Sequence, residues 1–104
     1  MPCGQRRTGC KLPLSSPAAR SLHGLAYDAG RRRVVLFGGY SGSSTRLGDT
    51  WEWDGTSWAQ VQLATSPPAR YRLALVYSPI ERRCLLFGGF SSNFLGETWE
   101  FDGT

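Results

Sequence analysis

This chain has little with which to do chemistry. It carries one histidine, His23, and three cysteines among 104 residues. Three cysteines cannot all pair. Cys3 and Cys10 could form a disulfide or share a metal, but only one histidine and no second cysteine pair accompany them, so a metal site is not expected. Cys84 sits in an apolar run and reads as a small buried hydrophobe. No phosphate loop, nucleophile elbow or zinc-ligand spacing appears, and no cofactor is expected. No apolar run approaches the roughly 18–20 residues of a membrane span, so no membrane partner is expected. Arg6, Arg7 and Lys11 are not followed by an apolar stretch, so no secretory signal is read and the compartment stays open. Low-complexity blocks and helical periodicity are also absent.

The net charge of +4 is concentrated at the start of the chain. Without Arg6, Arg7 and Lys11, 9 basic residues face 8 acidic ones. The densest remaining clusters are Arg31-Arg32-Arg33 and Arg82-Arg83. Each falls between two apolar runs where a turn belongs, and each reads as a solvated hairpin tip. Neither is interleaved with aromatics that would stack on bases, so no nucleic-acid partner is expected.

What the chain does have, it has twice. Phe37-Gly38-Gly39 returns 50 residues later as Phe87-Gly88-Gly89. Gly48-Asp49-Thr50-Trp51-Glu52-Trp53-Asp54-Gly55 returns 48 residues later as Gly96-Glu97-Thr98-Trp99-Glu100-Phe101-Asp102-Gly103. The offsets differ by a two-residue gap between the diglycine and the Gly-acid-Thr-Trp segment. A period near 50 implies supersecondary units that bury their faces against copies of themselves. Residues 1–15 match poorly and read as disorder or the worn outer strand of a preceding unit. Residues 16–65 form the first repeat, and 66–104 a second, truncated one.

Each repeat reads as short strands. Strand one is about Leu22–Tyr27, then Leu73–Tyr77. Strand two is Val34–Phe37, then Cys84–Phe87, apolar without alternation, as in a strand covered on both faces. The diglycine is expected to end it, because glycine takes positive φ and admits a close backbone neighbour. Strand three, Thr50–Asp54 or Thr98–Asp102, alternates, with Trp51 and Trp53 on one side and Thr50, Glu52 and Asp54 on the other. Asp54-Gly55 signals a hairpin into strand four, Trp58–Leu63. The second repeat lacks that fourth strand. The expected class is all-β, four-stranded antiparallel meanders repeating radially as propeller blades. A seven-stranded sandwich is the alternative, but it would not require near-identical units.

The run Val34-Val35-Leu36-Phe37-Gly38-Gly39 followed by Trp53 and Trp58 resembles the kelch repeat. So does Cys84-Leu85-Leu86-Phe87-Gly88-Gly89 followed by Phe101. The lead-ins Pro17 to Arg20 and Pro67 to Arg70 are also similar. The resemblance covers residues 16–104. It departs in one spacing, since only four residues separate Trp53 from Trp58 and kelch repeats usually have six. It implies a partial β-propeller of a family whose members act mainly as protein-binding scaffolds. Some members, such as galactose oxidase, host an enzyme site, but a copper centre of that kind needs ligands that one histidine cannot supply. The expected function is a scaffold segment, not an enzyme. The alternatives are a blade pair from an enzyme whose catalytic residues lie outside this chain, or a structural spacer.

In such meanders the two–three loops, about Tyr40–Gly48 and Phe90–Gly96, share one end with the four–one link, about Ala64–Tyr71, and with Ser16–Ser21, its counterpart before the first repeat. These segments hold Arg20, Arg70, Tyr40, Arg46, Asn93 and Phe94, the candidate ligand face for a protein partner. Arg20 and Arg70 have a structural alternative, hydrogen bonds to loop carbonyls and pairing with Asp49 or Glu97. Trp51, Trp53, Trp58, Trp99 and Phe101, with Gly38, Gly39, Gly88 and Gly89, are expected to serve packing between units. Glu52 and Glu100 hold one position in successive repeats, which explains them better than a catalytic pair. His23 reads as a core or channel-lining residue. Two units leave two outer faces bare, so self-association or further units are expected to complete the assembly.

Overall fold

Short extended runs separated by reversing residues pair with their immediate neighbours. The computed structural model describes residues 16–104. The expectations for 1–15, Cys3 and Cys10 included, lie outside them. Seven strands form: β1 (Gly24–Asp28), β2 (Arg33–Tyr40), β3 (Arg46–Trp53), β4 (Trp58–Val61), β5 (Ala74–Ser78), β6 (Arg83–Phe87) and β7 (Thr98–Phe101). They make two antiparallel sheets in sequence order, β1-β2-β3-β4 and β5-β6-β7. The described residues contain no helix, and the fold is all-β.

The turns explain the strand ends. At the β1–β2 turn the Asp28 carboxylate accepts the Arg31 N–H at 3.1 Å, and Arg32 takes φ 58°. At the β5–β6 turn Ser78 Oγ accepts the Glu81 N–H at 3.2 Å, and Arg82 takes the same φ of 58°. At the β3–β4 hairpin Asp54 accepts the N–H groups of Thr56 and Ser57 at 2.8 and 2.9 Å. Trp53 and Trp58 then face each other across the pair, with ring centroids 5.7 Å apart.

The diglycine behaves differently in the two copies. In the first it does not end the strand. The register slips between Phe37 and Gly39, and pairing resumes at Gly39↔Leu47 and Tyr40↔Arg46. The segment expected as a loop from Tyr40 to Gly48 is therefore mostly strand, with only 41–45 between β2 and β3. In the second copy β6 stops at Phe87. The intervening segment is two residues shorter there, and it curls into a single Phe90↔Phe94 bridge instead. β4 also ends at Val61, earlier than Leu63.

Register decides which side chains share a face. Val35, Phe37 and Thr50 lie on the side of the first sheet that meets the second, where they stand opposite Leu75, Leu86 and Trp99 around a cavity of about 60 Å³. Val35, Leu36, Phe37, Cys84 and Leu86 are buried, each contributing about 1.5–3 kcal/mol relative to exposure, and less for cysteine. The closest approach runs along β1 and β5, with β1 and β6 next, so the sheets spread apart from their first strands outward. Trp99 lines the inter-sheet space, but Trp53 and Trp58 lie with Leu25 and Val34 on the far side of the first sheet.

Candidate functional site

Antiparallel pairing carries the 41–45 loop, the 88–97 segment and the link before β5 to one end of the sheets. At this end each diglycine is held in the left-handed region, with φ of 72° and 117° at Gly38 and Gly39 and 74° and 104° at Gly88 and Gly89. That conformation turns the Gly38 and Gly88 carbonyls onto an arginine. Arg20 Nη1 donates to Gly38 O at 3.2 Å, and Arg70 Nη1 donates to Gly88 O at 3.1 Å.

Each arginine then closes a network. Arg20 donates to Ala18 O and, through both terminal nitrogens, to Asp49 at 2.6 and 2.9 Å. Asp49 also accepts the Trp51 indole N–H at 2.7 Å. Arg70 donates to Pro68 O at 3.1 Å and to Glu97 at 2.9 Å, and Glu97 accepts the Trp99 indole N–H at 3.0 Å. The Pro-x-x-Arg lead-in, the diglycine and the acid-x-Trp segment are thus one repeated clip. The Arg20 hydrogen bonds hold the Asp49 carboxyl below its ordinary range, against the opposing effect of burial. The Trp99 indole, with Arg70, does the same for Glu97.

The clip decides what the candidate arginines can do. The Arg20 side chain is 3% exposed and that of Arg70 1%. Both were expected on the ligand face. The structure instead places both inside the fold, paired with the two acids named as their structural alternative, because the diglycine carbonyls need donors there.

The exposed surface at this end is aromatic. Four rings step from the first loop to the second: Tyr40 to Tyr71 at 5.1 Å, Tyr71 to Phe90 at 5.7 Å, and Phe90 to Phe94 at 5.3 Å between centroids. Paired bridges fix the ladder, with Ser21 opposite Tyr40 and Tyr71 opposite Phe90. Arg46 Nη1 donates to Ser91 O at 2.8 Å and ties the two loops together. Phe94 is 88% exposed. Asn93 is exposed, and its carbonyl accepts the Ser91 N–H at 3.1 Å. Tyr40, Arg46, Asn93 and Phe94 are therefore brought together. Sequence reasoning missed Tyr71, Phe90 and the exposed Arg72, which has φ 59°. The available signal was positional, since Phe90 follows its diglycine as Tyr40 does and Tyr71 follows its lead-in arginine directly.

At the opposite end the reading of both arginine clusters as solvated tips fails for Arg31. Its guanidinium donates to Asp28 at 2.9 Å and to Glu52, and lies 5.5 Å from the centre of the Phe101 ring in the other sheet. Glu52 is tied to this arginine, and Glu100 accepts from Arg83 at 3.2 Å. Cys84 is fully buried, and burial pushes its thiol up to about 11. His23 lies against Gly39, with Nδ1 unpartnered among the described residues.

No known family model and no curated protein matches this chain. What the end of the sheets offers chemically is ring faces, a guanidinium and an amide on loops braced from beneath, groups that suit recognition of a protein surface.

Proposed function

We propose that the chain is a pair of kelch-type propeller blades serving as a segment of a protein-binding scaffold, with the aromatic ladder as its contact surface. Two consecutive meanders of the same strand order, closest along their first strands and spreading outward, support the blade reading over a sandwich. So does the repeated Arg–diglycine–acid–Trp clip, which gives a structural purpose to the lead-in arginines and the diglycines behind the kelch resemblance. The observation that carries the binding reading is the ladder ending in Phe94, an apolar ring left 88% exposed on a braced loop. Such rings are costly to leave in water and strong contributors when a partner covers them. Arg20 and Arg70 support the loops, and contact falls to Tyr40, Arg46, Asn93 and Phe94.

The test compares wild-type protein, Arg32→Glu and Phe94→Ala as immobilised baits. A partner retained by the first two and lost from the third is the expected result. Equal retention by all three would remove the ladder as the contact surface.

A further inference from the structure

The contact between the two sheets has two different sides. The first sheet contributes the face bearing Val35, Phe37 and Thr50, and the second the face bearing Leu75, Leu86 and Trp99. Three main-chain hydrogen bonds accompany it. Gly39 N–H donates to Arg70 O at 2.9 Å, Arg70 N–H to Leu47 O at 3.2 Å, and Arg72 N–H to Leu22 O at 2.8 Å.

Each side has an unused counterpart on the outside of the chain. The outer face of the first sheet carries Leu25, Leu36 and Trp51, the repeat equivalents of Leu75, Leu86 and Trp99. The outer face of the second carries Leu85, Phe87 and Thr98, the equivalents of Val35, Phe37 and Thr50. Leu25, Val76 and Phe87 are each more than half exposed there. The main chain matches as well. Gly89 N–H, Leu95 O and Arg72 O stand where Gly39 N–H, Leu47 O and Leu22 O stand in the first repeat. Arg20 O, Arg20 N–H and Leu22 N–H are the counterparts of the groups that answer them. None of these six has a partner among the described residues.

We propose that a second copy of this chain docks head to tail on the first. The Leu25–Trp51 face of one copy seats on the Phe87–Thr98 face of the other and repeats the internal sheet-to-sheet contact, its three main-chain hydrogen bonds included. The contact is heterologous, so it propagates into a closed ring or an open stack according to the rotation per copy. It needs only the packing seen between the two sheets and is independent of any external ligand. One position sets its strength. Gly24 lets the second sheet approach so closely that a Cβ there would lie 2.5 Å from Leu73 and 2.8 Å from the Leu75 Cβ. The equivalent residue on the free face is Ala74, whose methyl holds the incoming β1 further out and weakens the repeat of the contact.

Sedimentation velocity across the micromolar range, with Trp fluorescence as a second readout, tests this. Wild type should gain mass with concentration, and its emission should shift to the blue as Trp53 and Trp58 are covered. Leu25→Glu and Phe87→Glu each alter an exposed side chain, so circular dichroism should show an unchanged fold. Alone, each variant should stay monomeric. Mixed, they should form a dimer and stop, because one intact face remains on each. Ala74→Gly should tighten association by about fivefold or more. A wild type that stays monomeric, a single variant that still self-associates, or a mixture that stays monomeric would overturn head-to-tail docking. An Ala74→Gly variant with unchanged association would overturn the register.

Discussion

The first sheet covers its third strand with a fourth, and the second does not. Both are written in the same words, yet the first has four strands, while the second has three and ends on an open β7 edge. The first has Asp28, Arg31 and Glu52 joined beneath Phe101 of its neighbour, where the second has Ser78, Glu81 and Glu100 at the matching positions. Gly38 is wedged against the link to the next unit. Gly88, with nearly the same φ, has only Leu95 O near the place of a Cβ, at 3.4 Å. Gly38 and Gly88 share a backbone conformation, and the energetic weight of each depends on whether another unit lies against it.

The diglycines give the largest test of that difference. A Cβ at Gly38 would lie 2.7 Å from the Arg70 carbonyl oxygen, a backbone atom that cannot swing away. Gly38→Ala should therefore lower the unfolding free energy in urea by about 3–4 kcal/mol, left-handed strain and clash together. Gly88→Ala should cost about 1–2 kcal/mol, the strain alone. Equal losses would mean that the neighbouring unit adds nothing at Gly38.

Arg70 comes next. Arg70→Ala should cost about 2–3 kcal/mol by thermal or urea unfolding, because the buried Gly88 carbonyl loses its donor while the half-exposed Glu97 can turn to water. A loss below about 0.5 kcal/mol, the range of ordinary surface changes, would remove Arg70 from the clip.

Much of the fold was legible because its signals are local. Two diglycines, two acid-x-Trp segments and an Asp-Gly turn fixed the number and order of strands. The boundary errors arose where a long-range choice decides. Whether Gly38-Gly39 ends a strand or bulges within one depends on two extra residues further along, which let Tyr40 find Arg46. The site was legible in part. Loop position pointed to Tyr40, Arg46, Asn93 and Phe94. Arg20 and Arg70 looked alike as ligand contacts and as clips, because burial is not written in a residue's name. Only the carbonyls turned out by positive-φ glycines assign them. Arg31 left its solvated tip for the same reason, since Glu52 and Phe101 are far away in sequence.

A smaller effect concerns acid. Asp49 and Glu97 are held below their ordinary carboxyl range in the folded state. A depressed folded value means that the unfolded chain takes up protons first as pH falls. The stabilisation is complete above about pH 5 and is lost as pH drops through about 4 toward the folded values. Asp49→Asn should flatten the acid limb of the stability profile and leave its slope near neutrality unchanged. An unaltered acid limb would separate Asp49 from acid sensitivity.

The smallest effect on stability belongs to the proposed contact surface. Phe94→Ala should change unfolding free energy by less than about 0.5 kcal/mol, since the ring is almost wholly in water. A larger loss would make Phe94 part of the core.

Backbone amide hydrogen exchange tests the inequality of the two sheets most directly. Trp51 lies between Leu36 and Gln60 in a strand paired on both sides, while its repeat equivalent Trp99 is paired only with Leu86. Amides of Thr50–Trp53 should exchange about tenfold or more slowly than those of Thr98–Phe101 under native conditions. Equal protection along β3 and β7 would contradict the account, because an edge strand would then be held as firmly as an inner one.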